Sequence, residues 1–209
     1  MESTPELLTL HAVRLKGMAD DPEVAERFDL DRAQMAELLL DFQAYGWVSK
    51  VDFAGTSGWT LTAAGVEQNQ RQLAAELVAC DAVGVVRDCY RRFLPHNGRL
   101  QQACTDWQLR PTASDPLAPN DHFDATWDRP VLDTLDLLDA ELADIVVELT
   151  AALTRFEGYD ERFNDALARA QAGDPDWVTG VKIDSCHTVW MELHEDLLAS
   201  LGIERGAEP

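Results

Sequence analysis

The sequence predicts a mainly α fold: three N-terminal helices ending in a small β-hairpin, then an all-α helical bundle. Three observations carry this. Residues 21 to 46 are punctuated by acidic caps and a glycine stop at helical spacing. Residues 47 to 61 switch to β-branched and aromatic residues around a glycine-containing turn. From Ala63 onward, apolar residues recur at the helical period nearly throughout.

Leu7, Leu10 and Val13 predict a first helix. Asp21-Pro22-Glu23 predicts the start of a second: Asp21 caps, Pro22 suits a first helical position because its φ is fixed and its N–H absent, and Glu23 faces the positive first turn. Val24 and Phe28 would lie on its core side. Asp31 and Gln34 have capping-box spacing, and Leu30 and Met35 stand where a hydrophobic staple forms, so a third helix is predicted from Arg32 to about Tyr45. Leu38, Leu39 and Phe42 form its apolar stripe, and Gly46 can take the left-handed conformation that ends it. Trp47 to Phe53 predicts a strand, Ala54-Gly55-Thr56-Ser57-Gly58 a turn, Trp59 to Leu61 a returning strand, and Thr62 the cap of a further helix.

The order helix, helix, helix, hairpin, helix over residues 1–65 outlines a winged helix-turn-helix. Leu10-His11-Ala12-Val13-Arg14, the helix pair, Tyr45-Gly46-Trp47-Val48 and Gly58-Trp59-Thr60-Leu61-Thr62-Ala63-Ala64-Gly65 together resemble the winged-helix transcriptional regulators of the MarR and PadR type, over the first third of the chain. A second, weaker likeness is to small winged modules of multidomain phosphotransfer enzymes of the pyruvate phosphate dikinase kind. The first resemblance implies a transcriptional regulator that binds an operator as a homodimer, the reading that the architecture favours; the alternative, docking of an acidic winged module on a partner enzyme, is what the second implies.

Charge sets these two expectations against each other. The chain carries 17 Lys and Arg against 38 Asp and Glu, a formal net charge of −21. A phosphate backbone repels such a surface unless cations are concentrated on it. Residues 1–65 hold five cations (Arg14, Lys16, Arg27, Arg32, Lys50) against eleven acids. The third helix has Arg32 as its one cation, opposed by Asp31, Glu37 and Asp41. The candidate DNA contacts are therefore Arg27, Arg32, Gln34, Lys50, Thr56 and Ser57, whose alternative role is simply to meet water.

Residues 66–209 read as a second domain, a bundle of four to six helices for dimerisation or ligand sensing. Leu73 and Leu77 mark one helix; Val85, Val86, Cys89, Tyr90 and Phe93 mark the next, which Pro95 stops. After a turn at His96-Asn97-Gly98, a helix is predicted from Arg99 to Leu109, and the proline-containing stretch at about 110–125 is a long loop or lid. Pro130 would open the strongest helix, built on Leu135, Leu138, Leu142, Ile145, Val146, Leu149 and Leu153, with a break near Ala140. Tyr159 to Ala172 is a further helix, and Asp174-Pro175 repeats the acid-proline opening. Ser185 to Leu201 is the last, with Val189, Trp190, Leu193 and Leu197 on its core face.

Candidate chemistry in this domain is sparse. Arg87 and Arg91 share a helix face and suit an anion, while His187, Trp190 and His194 share another and could line a pocket; these five are the candidate ligand contacts. Their simpler roles are ion pairing with the many acids and packing in the core. No His-x-x-x-His or Cys-x-x-Cys spacing is present, so no metal or cofactor is expected, and Cys80, Cys89, Cys104 and Cys186 read as buried thiols. Cys186 beside His187 is a weak dyad, since helical neighbours point about 100° apart. No complete constellation of nucleophile, base and stabiliser appears, so an enzyme is not expected. With no long apolar run or signal-like N-terminus, the expectation is a cytoplasmic protein away from membranes, and the acidic, Arg-over-Lys, Ala-rich and Asp-rich composition suggests a high-GC bacterium or a salt-adapted organism.

Overall fold

The computed structural model describes residues 3–53, 55–204 and 206. It is mainly helical, with ten α-helices and one two-stranded antiparallel sheet among the described residues. The chain divides into two compact units. Unit 1 comprises residues 1–86, 152–155 and 195–209; unit 2 comprises residues 87–151 and 156–194.

Unit 1 opens with α1 (Pro5–Lys16), α2 (Asp21–Arg27) and α3 (Arg32–Ala44). The cap of α2 is Asp20, one residue before the acid expected from sequence. Its carboxylate accepts the Glu23 N–H at 3.0 Å while Glu23 Oε2 accepts the Asp20 N–H at 2.8 Å. This reciprocal pair satisfies two orphan donors, which a cap at Asp21 could not do because no acid or amide lies three residues on. Asp21 instead accepts the Trp59 indole N–H at 2.7 Å. Asp31 caps α3 as expected, through the Gln34 N–H at 2.9 Å, and Gly46 follows the helix at φ +73°.

Strands β1 (Val48–Phe53) and β2 (Thr56–Leu61) pair with Val48 opposite Leu61 and Phe53 opposite Thr56. The turn is shorter than the five-residue cluster in the sequence: β2 begins at Thr56, and Gly58 lies inside the strand. A Cβ on Gly58 would sit 2.9 Å from Met18 Cγ and 3.0 Å from the Ala19 carbonyl oxygen, so the glycine marks a close backbone approach and not a bend. There Ala19 and Trp59 exchange N–H···O bonds of 3.1 and 2.7 Å. Thr62 then caps α4 (Ala63–Ala79) through the Gly65 N–H. Leu10, Val13, Val24, Met35, Leu39, Phe42, Val48 and Trp59 form the core of this region, with Phe28, Leu30 and Leu38 packed at its edge.

Helix α5 (Val83–Phe93) supplies residues to both units, and α6 (His96–Gln108) follows it. The expected turn at residues 96–98 is the first turn of α6, with Pro95 at its N-cap, where a missing N–H is harmless. Residues 109–124 form the long loop. It is tied at its base by the Arg110 N–H to the Ala118 carbonyl (2.8 Å), the Asn120 N–H to the Gln108 carbonyl (2.9 Å) and an ion pair between Arg110 and Asp124.

Helix α7 (Ala125–Ala152) corrects two expectations: it starts before Pro130 and runs unbroken past Ala140. Asp124 sets the start, accepting from the Thr126 N–H at 3.0 Å and the Thr126 hydroxyl at 2.6 Å. Pro130 is tolerated five residues in, at the cost of a helical partner for the Thr126 carbonyl. A short 3₁₀ turn (Thr154–Phe156) precedes α8 (Tyr159–Gln171), a four-residue α9 (Asp176–Thr179) and α10 (Cys186–Leu201). Leu135, Leu138, Leu142, Phe163, Val189, Trp190 and Leu193 are buried in unit 2. Among the described residues no helix is long and apolar enough to cross a membrane.

Candidate functional site

On the outer surface of α3 the residues follow from the helix period. Met35, Leu39 and Phe42 turn inward, so Glu37, Leu40, Asp41 and Ala44 turn outward. Leu40 is 61% and Tyr45 62% exposed. Arg32 is exposed at the start of this helix, 3.5 Å from Glu26. Gln34 is exposed, its backbone N–H held by the Asp31 cap. Arg27 faces elsewhere: it is half-buried with its guanidinium 4.3 Å from the centre of the Phe28 ring, and its charge acts on Asp196. Lys50 is exposed with its ammonium 5.1 Å from the centre of the Trp59 ring, directly across the hairpin. Ser57 is exposed opposite Asp52. Thr56 belongs to β2 through its backbone, and its side chain lies outside the described residues.

In unit 2 the candidate ligand contacts separate. Arg87 and Arg91 are exposed on α5, and Arg91 is paired with Asp88 at 3.1 Å; the neighbouring Arg92 is paired with Glu148 at 2.6 Å. Trp190 is buried, stacked on Phe93 with centroids 4.6 Å apart, and its indole N–H donates to Asn97 Oδ1 at 2.8 Å. His194 is buried against the same Phe93 ring, with Nε2 3.4 Å from Asn97 Nδ2. His187 is half-buried, and desolvation lowers its pKa. Cavities of about 510 and 360 Å³ in unit 2 are lined by other residues. Burial pushes the Cys186 thiol up to about 12 and that of Cys104 up to about 11, so neither supplies a thiolate near neutral pH.

Two polar constellations have no counterpart among the candidates read from sequence. In unit 1, His11 lies with Nδ1 3.2 Å from Asn69 Oδ1 and Nε2 3.0 Å from Asp196 Oδ1. Arg155 donates to Asp196, to Glu76 Oε2 at 2.8 Å and to Ser200 Oγ at 2.7 Å. In unit 2, His122 Nδ1 is 3.0 Å from Asp128 Oδ2, and Asn120 Nδ2 donates to Asp128 Oδ1 at 2.7 Å and to the Trp107 carbonyl at 3.0 Å. Asn120 Oδ1 in turn accepts the His122 backbone N–H at 3.2 Å. The His122 ring packs on Trp107 with centroids 4.4 Å apart, at the wall of the 360 Å³ cavity. Proline-rich composition marked this segment as a loop or lid, but carried no sign that a histidine and an aspartate six residues apart would meet across its junction with α7.

No family model, curated protein or solved structure matches this chain. Among the described residues, no group of three or more His, Cys, Asp and Glu side chains is arranged to hold a metal ion.

Proposed function

We propose that residues 1–65 are a winged helix that docks on a protein partner presenting a basic surface with an apolar centre. The observation that carries this reading is the outer surface of α3, where exposed Leu40 and Ala44 are flanked by the exposed acids Glu37 and Asp41. A helix entering a DNA groove would bring those carboxylates to the phosphates, against a net chain charge of −21. The same acids complement Lys and Arg on a protein, and the apolar residues between them can be buried there.

The experiment installs a photo-crosslinking residue at Leu40 in cells that make the protein. A discrete adduct with a basic protein, lost in Glu37→Lys, is the expected outcome. Absence of any adduct sinks the reading.

The alternative, a DNA-binding transcriptional regulator, draws on the same element order and on the exposed Lys50 and Ser57 of the hairpin. Fluorescence anisotropy with duplex DNA at low salt, where phosphate attraction is greatest, separates the two. Saturable binding that weakens with salt and is lost in the Arg32→Ala/Lys50→Ala double variant supports the regulator; no such binding is expected.

A further inference from the structure

Residues of α6, the 109–124 loop, the start of α7, the end of α8 and the α8–α9 connection line the groove of about 360 Å³. That falls within the roughly 300–1,000 Å³ typical of small-ligand sites. Its walls include Trp107, Leu132 and Pro175, and its polar lining includes His122, Arg129 and Gln171.

The hydrogen bonds around these polar groups decide what the groove can recognise. Asn120 Nδ2 donates to Asp128 Oδ1 and the Trp107 carbonyl and also lies 3.2 Å from His122 Nδ1; the Asp128 carboxylate can only accept, so its contact with His122 Nδ1 takes its proton from the imidazole. A neutral His122 therefore carries its lone pair on Nε2. Gln171 donates through Nε2 to Asp136 at 3.1 Å, which leaves its Oε1 to accept. The indole N–H of Trp107 is spent on the Pro175 carbonyl at 3.0 Å, and Arg129 donates through Nε to Asp133 at 3.0 Å. His122 and Gln171, each with an acceptor not used in these bonds, thus line a groove with aromatic and aliphatic walls.

The site is also built at some cost. His122 sits at φ +58°, a conformation few non-glycine residues adopt, and its ring and backbone are both held by Asn120 and Asp128.

We propose that this groove binds a small organic ammonium ion, with its N–H donors on His122 Nε2 and Gln171 Oε1 and its apolar body against Trp107, Leu132 and Pro175. An ammonium ion supplies the donors that these acceptors lack. The Asp128 carboxylate, which also lines the groove, and the acidity of the whole chain favour a cation over an anion, and the guanidinium in the lining, that of Arg129, is paired with Asp133. The site is independent of the partner proposed for α3.

Isothermal titration of the full chain with phenethylammonium, and with hydrocinnamate as an anion of similar body, tests this. Saturable binding of the ammonium ion, with the carboxylate at least tenfold weaker, is expected. His122→Phe, which keeps a ring against Trp107 and removes the acceptor, should weaken ammonium binding by about tenfold. Gln171→Leu, an exposed change on α8 that leaves the core alone, should weaken it by about threefold or more and keeps the test decisive if the first variant folds poorly. Equal or tighter binding of hydrocinnamate, no saturable ammonium binding, or unchanged affinity in a folded variant would overturn the proposal.

Discussion

Each unit contains a histidine 3.0 Å from an aspartate, and the two pairs differ in everything around them. In unit 1 the side chains of His11 and Asp196 are both 0% exposed. Both imidazole nitrogens lie close to a polar partner, Asn69 or Asp196, and the aspartate is shared with Arg155 and Ser200. In unit 2 the side chains of His122 and Asp128 are 23% and 11% exposed, one ring nitrogen is held, and the pair borders a groove. The lesson is that a His–Asp pair acquires a chemical role from access to a ligand, while full enclosure makes it structural. Desolvation strengthens both pairs, but only an approachable nitrogen can use that strength on another molecule.

The largest expected effect breaks the enclosed pair. Asp196→Asn removes the carboxylate that buried His11 faces and leaves buried Arg155 with that of Glu76 but without that of Asp196, and should destabilise unit 1 by about 3–5 kcal/mol in urea unfolding. A loss below about 1 kcal/mol would show that the cluster tolerates the loss of this carboxylate, and the contrast between the pairs would fail.

Acid unfolding sharpens the same point. Burial alone would raise the Asp196 carboxyl, but the charges of Arg155 and His11 prevail and hold it well below the usual carboxylate range. Because the folded value is depressed, this stabilisation is complete above the unfolded carboxylate value near pH ~4 and is lost as pH falls from there toward the folded value. Its slope is about 1.4 kcal/mol per pH unit for one proton. Urea midpoints measured down this range should show that slope in the natural chain and lack it in Asp196→Asn.

The open pair should respond more weakly. Asp128→Asn keeps the shape and removes one charge-assisted bond near the surface, so about 1–2 kcal/mol of unit 2 stability is expected to go. If thermal unfolding shows a loss equal to that of Asp196→Asn, His122 is as structural as His11. The smallest effect belongs to Arg32→Ala. Arg32 and Glu26 lie at 3.5 Å with about 70% of each side chain exposed, and removing such a pair should change stability by less than about 0.5 kcal/mol. That measurement fixes the baseline for ion pairs in water.

Local chemistry made much of unit 1 readable. The acid at Asp31, the glycine at Gly46 and the threonine at Thr62 each act within four residues, and each sits where its side chain or backbone freedom predicts. Errors arose where two local signals competed. Asp20 displaced Asp21 because Glu23 can reciprocate only with the former, and Asp124 started α7 ahead of the more conspicuous Pro130. Candidate sites fared differently because they depend on distant pairs. Asp196 meets His11 across almost the whole chain, and no periodicity announces it. His122 meets Asp128 over a short span, but only because the loop and Asn120 hold the imidazole in an uncommon backbone conformation. The outward acids of α3, by contrast, were legible, since their positions follow from the helix period.

The composition of unit 1 has a consequence for the order in which the protein can mature. Its buried cluster joins residues near positions 11, 69, 76, 155, 196 and 200, so the two ends of the chain complete one polar core. At ~5–20 residues per second of synthesis, His11 waits roughly 10–40 s for Asp196 to be made. During that interval His11 has Asn69 but not Asp196, and Glu76 gains Arg155 before Asp196 is made. Residues of unit 2 are all synthesised before Asp196, so the polar core of unit 1 is finished after unit 2 has been made.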